Sequence, residues 1–208
     1  MSQNADIIDL LAGVAPGSAL SAIRDQRAQA RENAQRSFEA LLEPADPGTF
    51  PHAERYAVAA FTARLHGFGE ATAFYADLLG DEAPELVDAV DASAADGATR
   101  GPYGAYREEG LRGESTEGLR WTADAAALGE RLAAALTHTH LLVFRPREAR
   151  PTAIRSLVDA GWSADDIVSL SQLVSFLTFQ LRAAWGLRVL ARNTNDTAST
   201  DSREGTAA

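Results

Sequence analysis

The sequence contains neither cysteine nor lysine. Its 208 residues include no cysteine, which excludes disulfide bonds, cysteine zinc sites, iron–sulfur clusters and any reaction that needs a thiolate. All 19 basic residues are arginine, so a lysine Schiff base and a lysine general base are excluded as well.

Acidic residues outnumber basic residues by 29 to 19, which gives a formal net charge of −10. Phosphate recognition needs clustered cations, so we expect no nucleic-acid partner and no docking on an anionic membrane. The first six residues lack a basic region followed by an apolar run, which predicts a cytoplasmic protein without a secretory signal. No glycine motif follows a strand-like segment, and we expect no cofactor.

The patterning predicts an all-α protein, because no strand-like alternation of apolar and polar residues persists. A single domain is expected over residues 1–191, with an N-terminal helical extension over 1–43, a long loop over 91–121 and a disordered tail over 192–208. Ser163 is the expected N-cap of the last helix, and Pro151 suits the first turn of the helix before it. Further helices are expected near residues 6–12, 18–42, 51–65, 70–79, 84–90, 122–143 and 167–191.

Two stretches carry a family likeness. The first covers residues 54–75 and includes Leu65-His66-Gly67. The second covers residues 153–168, with the turn Gly161-Trp162-Ser163-Ala164-Asp165-Asp166-Ile167, and leads into residues 176–187. Together they resemble the carboxymuconolactone decarboxylase superfamily, in particular its alkylhydroperoxidase-D-like and peroxidase-related members. The likeness covers roughly residues 50 to 190 and implies an oligomeric helical bundle of the alkylhydroperoxidase-D-like type: a homo-oligomer, whether dimer, trimer or hexamer.

Active members of that superfamily place a glutamate before a Cys-x-x-Cys pair and a histidine after it. One thiolate attacks the peroxide, the second resolves the sulfenic acid, and the other two groups relay protons. If Leu65-His66-Gly67 matches the segment before the first cysteine, Tyr56 takes the glutamate position and Tyr75 the histidine position. Phe68 and Ala71 then stand where the cysteines would be.

A second alignment is anchored on Glu54. It puts His66 and Gly69 at the cysteine positions and Ala73 at the histidine position. Neither alignment restores a thiol, so the dithiol peroxidase reaction is excluded in both.

Three functions remain open. The first is a peroxidase-related protein that has lost the redox pair and keeps a pocket for a small organic molecule. The second is a cysteine-independent acid/base lyase of the decarboxylase kind. The third is a non-catalytic oligomeric accessory protein, a role that the resemblance links to flavin-dependent monooxygenase systems. For the two pocket functions, the expected catalytic residues are Glu54, Tyr56, His66 and Tyr75, and the expected substrate-binding residues are Phe68, His140 and Arg182.

His138 and His140 form an H-x-H sequence that invites a metal interpretation. Two helical positions that are two residues apart point about 200° away from each other, so we expect no shared ion and no metal site. His140 precedes an apolar run and is expected to be a buried histidine bonded to the backbone, or a pocket wall.

Overall fold

A computed structural model describes the backbone of residues 6–204 and the side chains of residues 6–193. The prediction of an all-α protein is confirmed: the described residues form no strand, and a single isolated bridge joins Gly104 to Thr116. Three short 3-10 turns lie at Pro84–Leu86, Glu109–Glu114 and Pro146–Glu148. The helices are α1 (Ile7–Ala12), α2 (Ala19–Asp25), α3 (Ala28–Leu42), α4 (His52–His66), α5 (Gly69–Glu82), α6 (Val87–Asp96), α7 (Ala125–Leu128), α8 (Glu130–Phe144), α9 (Pro151–Asp159) and α10 (Ala164–Glu204).

The chain divides into two compact units. One unit contains the residues up to Phe38 and those from Phe179 onward, and the other contains Glu39–Thr178. Each is described by itself below.

The unit that contains the N-terminus is organised around two aspartates. Asp6 caps α1 by accepting a hydrogen bond from the backbone N–H of Asp9 at 2.9 Å. Arg24 and Arg31 both bridge Asp6 and Asp9. The helix predicted over residues 18–42 is instead broken between α2 and α3, and Arg31, beyond the break, also pairs with Asp25 at 2.6 Å.

Helix α4 is the centre of the unit formed by Glu39–Thr178, and it packs against α5, α6 and α8. Its residues 57–63 are all buried, and four of them are alanine. Such small side chains let neighbouring helices approach closely.

The irregular segment after α6 is shorter than predicted, because α6 continues to Asp96. It is fixed to the end of α8, where the backbone N–H of Tyr103 donates to the Phe144 carbonyl at 2.6 Å. Arg147 donates to the Tyr103 carbonyl at 3.1 Å, and its guanidinium lies 3.7 Å from the ring centroid of Tyr106. The loop over residues 97–124, called the strap below, is therefore ordered rather than a free segment.

Two local predictions about the last helices are confirmed. Pro151 occupies the first turn of α9, and Ser163 Oγ accepts the backbone N–H of Asp166 at 3.1 Å. Helix α10 continues to Glu204, beyond the expected end at residue 191, so the expected disordered tail is helical over its described part; residues 205–208 lie outside the described residues. By length and composition, Ala164–Asn193 could cross a membrane, which is weak evidence because core helices of soluble proteins pass the same test.

Candidate functional site

Glu54 belongs to a structural ion-pair network. Its Oε1 accepts a hydrogen bond from Arg131 Nε at 2.8 Å, while its Oε2 is buried and has no partner among the described residues. Burial raises the pKa of Glu54, although Arg131 acts in the opposite direction. Arg131 also stacks on Trp162, with its guanidinium 4.1 Å from the ring centroid. The network ties α4 to α8 and to the turn before α10.

The other residues predicted on α4 and α5 have separate environments. Tyr56 is half-buried, stacks on His52 at 6.0 Å, and has a pKa raised by burial. Tyr75 and Phe68 are core side chains, with 0% and 2% of their surface exposed. His66 Nε2 lies 3.5 Å from the Thr178 hydroxyl, at the outer limit of a hydrogen bond.

Of the predicted substrate-binding residues, Arg182 is exposed on α10 in the other unit, and His140 lies in a pocket. Its Nε2 is 3.0 Å from the Gly97 carbonyl, which can only accept, so Nε2 carries the proton. The ring packs between Trp121 and Phe144, at centroid distances of 5.2 and 4.9 Å. The prediction of a buried histidine bonded to the backbone is confirmed.

This pocket, called the α8–α9 pocket below, has a volume of about 560 Å³. That size is typical of sites for small organic molecules. Helix α8 contributes Thr137, His138 and His140, helix α9 contributes Ser156 and Asp159, and the strap contributes Trp121. Glu54, Tyr56, His66, Tyr75 and Phe68 do not line it, so the structure does not bring the predicted residues together there.

His138 is the most unusual polar group in the pocket wall. Its side chain is buried, with 4% of the residue surface exposed. Ser171 Oγ uses its one hydrogen in a 2.8 Å bond to the Ile167 carbonyl, so it can only accept from His138 Nε2, 3.4 Å away. This pattern assigns the proton to Nε2. Nδ1 is then a bare acceptor, and it is buried without a partner among the described residues.

Burial also sets the charge of His138. It lowers the pKa of the imidazole below its ordinary value, and no carboxylate opposes this effect. The ring is therefore neutral at pH 7, and its unprotonated Nδ1 can accept a hydrogen bond or a proton. The H-x-H sequence indicates His138 only as a possible metal ligand. Its contact with Ser171, which assigns the proton to Nε2, could not be predicted from a local sequence pattern.

The side of the pocket formed by the strap is held by Glu148. Arg145 donates to both carboxylate oxygens of Glu148, at 2.8 and 2.7 Å, and Arg120 does so at 2.5 and 3.1 Å. These hydrogen bonds lower the pKa of Glu148 to about 2. Both arginines that line the pocket are therefore engaged in ion pairs.

A second pocket of about 600 Å³ lies beside the first and shares His138 and Ala153 with it. Its wall includes Arg150 and Arg155, together with the apolar side chains of Ile154 and Val158. Over the described residues, no group of three or more metal-binding side chains is present. No family model, no curated protein and no solved structure matches this chain.

Proposed function

We propose that this chain binds a small organic molecule carrying a hydrogen-bond donor in the α8–α9 pocket, by means that need no thiol. One observation carries the proposal: His138 lines the pocket, and the Nδ1 of its neutral ring is buried and has no partner among the described residues. An unsatisfied buried acceptor costs roughly 1–3 kcal/mol, and a ligand O–H or N–H recovers part of that cost.

The pocket composition supports a partly apolar ligand. Ala133, Ala134, Ala153 and Ala160 line its two helical sides, and Trp121 adds an aromatic edge. Since Nδ1 has less than 1 Å² of exposed surface, a ligand donor reaches it only when the ring tilts toward the pocket. We therefore expect a compact hydroxyl group, such as that of a phenol, to be favoured.

A lyase function is the second candidate, and the same histidine favours it. A neutral imidazole with a free lone pair is a general base, which the acid/base reaction of a decarboxylase requires. In this form of the proposal, His138 replaces the groups expected on α4 and α5. The chain keeps the family likeness and loses the dithiol reaction, because it has no cysteine.

Assembly as a homo-oligomer remains part of the proposal. Phe179 and Trp185 on α10 are 54% and 48% exposed. Large apolar side chains of this kind are enriched where subunits meet.

The first test measures the state of His138 without a ligand. Nitrogen-15 NMR of the histidine rings at pH 7 is expected to show a neutral ring protonated at Nε2, assigned by the loss of its signals in His138→Gln. A ring protonated at Nδ1, or a charged imidazolium, would contradict the assignment that the proposal uses.

The second test compares 4-hydroxyphenylacetamide with its methyl ether, which cannot donate from that oxygen. Calorimetric titration of the full chain should show the phenol binding about 2- to 10-fold more tightly, as one hydrogen bond of roughly 0.5–1.5 kcal/mol predicts. His138→Phe keeps a ring but no acceptor and should abolish the difference, whereas the matched variant His52→Phe should preserve it. Absence of phenol binding, or a preference that survives in His138→Phe, would overturn the proposal.

A further inference from the structure

The second pocket differs from the first in its charges. Arg150 and Arg155 line it, and neither guanidinium forms a hydrogen bond or ion pair with a described residue. In contrast, Arg120 and Arg145 of the first pocket are both paired with Glu148. No carboxylate lines the second pocket. The two guanidinium groups therefore have no counter-ion in the wall of this pocket.

The remaining wall of the second pocket is apolar. Pro151, Ile154 and Val158 lie beside the two arginines, and the last two are 40% and 46% exposed. A guanidinium binds carboxylates through a planar fork of N–H donors. The combination fits an anionic group that is joined directly to a hydrocarbon portion, rather than a bare inorganic ion.

His138 and Ala153 connect the two pockets, because both residues line each of them. A ligand that bonds to His138 is therefore already at the boundary of the second pocket. We propose that the two pockets form one site for a hydroxy acid, whose hydroxyl bonds to His138 and whose carboxylate is held by Arg150 and Arg155. This inference rests on the proposed function, and it adds the chemical class of the ligand.

The experiment compares 4-hydroxyphenylacetate with 4-hydroxyphenylacetamide, two probes that share the phenol and differ in charge. Titration of the full chain at low ionic strength should show the acid binding roughly 3- to 10-fold more tightly than the amide. The double variant Arg150→Gln/Arg155→Gln should bind both probes equally. In 0.5 M NaCl the preference of the unaltered chain should shrink, since exposed charges are screened at about 4 Å or more at such ionic strength.

Arg107→Gln/Arg112→Gln is the matched control, because it removes the same charge from exposed positions of the strap. It should keep the preference for the acid. The inference would be overturned if the unaltered chain bound acid and amide equally, or if the preference for the acid persisted in Arg150→Gln/Arg155→Gln. In either case the proposed function still stands if amide binding depends on His138. If neither probe binds, both proposals are overturned.

Discussion

Arg131 offers a sharp test of what holds the larger unit together. Its guanidinium donates to Glu54, to the Gly161 carbonyl and to the Thr49 carbonyl, each at 2.8 Å. Its backbone carbonyl accepts the indole N–H of Trp162 at 3.0 Å. One side chain thus joins the start of α8 to the segment before α4, to α4 itself and to the turn before α10.

The proposed perturbation is Arg131→Met, which keeps an apolar stem over Trp162 and removes all three donated bonds. Hydrogen bonds to charged groups contribute roughly 1.5–3 kcal/mol each, but this side chain is 28% exposed and solvent replaces part of the loss. The change also leaves Glu54, which is 15% exposed, as an unpaired carboxylate. We expect a net loss of about 3 kcal/mol in the free energy of unfolding.

A second substitution separates the pairing from the packing. Glu54→Gln alone should cost about 1 kcal/mol, since the amide oxygen still accepts from Arg131. In Arg131→Met/Glu54→Gln, no buried carboxylate is left without a partner. The double variant should therefore lose about 1–2 kcal/mol less than the sum of the single losses.

The pH dependence of the free energy of unfolding tests the Glu54–Arg131 pair independently. Burial raises the pKa of Glu54 in the folded chain, so the folded state holds its proton at a pH where the unfolded state has lost it. Stability therefore falls as pH rises from the unfolded pKa through the folded pKa. Removal of Arg131 raises the folded pKa further, so the deficit of Arg131→Met should be larger at pH 7 than near pH 5.

The assay is urea unfolding followed by circular dichroism at both pH values for the four chains. The slope of each transition is compared first, because a changed slope indicates a changed unfolded or folded state rather than a changed stability. Strictly additive losses, or a deficit of Arg131→Met that grows toward pH 5, would refute the assignment of Glu54 and Arg131 as a buried pair.

Three further predictions concern the strap and the last helix. Gly118→Ala should destabilise the chain by roughly 1–3 kcal/mol in thermal unfolding, because a Cβ there would lie 2.4 Å from ring atoms of Tyr103; an unchanged melting temperature would contradict this. The pKa of Glu148 lies at about 2, so the stability it contributes is present above its ordinary pKa of 4.5 and is lost as pH falls toward 2; Glu148→Gln should flatten acid unfolding over that range. Ser163→Ala should cost about 1 kcal/mol, as measured by urea unfolding, while Ser163→Asp, which retains a capping oxygen, should cost much less.

Features that depend on neighbouring residues could be predicted from the sequence. The Ser163 cap acts three residues along the chain, and Pro151 acts through its own ring, so both were evident from local patterns. The all-α class followed from the absence of alternation. The predicted end of α10 at residue 191 differs from the observed end at Glu204. The reason is that residues 192–204 are small and polar, a composition that is also typical of disordered chains.

Contacts between distant parts of the sequence could not be predicted in the same way. Glu54 meets Arg131 across 77 positions, and His138 meets Ser171 across 33. Neither separation matches a helical or strand repeat that would predict the contact. The structural role of Glu54 and of His138 depends on its partner, so that role could not be predicted either. His140 was the exception, because a histidine followed by an apolar run indicates burial whatever its partner is.

The cavity between α8 and α9 opens where alanines are not covered by larger side chains. On α4 the small residues are covered, and all of residues 57–63 are buried against adjacent helices. Around the α8–α9 pocket, Ala134, Ala153 and Ala160 remain partly exposed, so their small size leaves volume open to a ligand. The same wall holds His138, and the Nδ1 of its neutral ring has no partner among the described residues. The open volume and the unsatisfied acceptor therefore occur in the same pocket. That coincidence is why the proposed ligand is one that donates a hydrogen bond to His138, and the absence of cysteine means that the proposal needs no thiol.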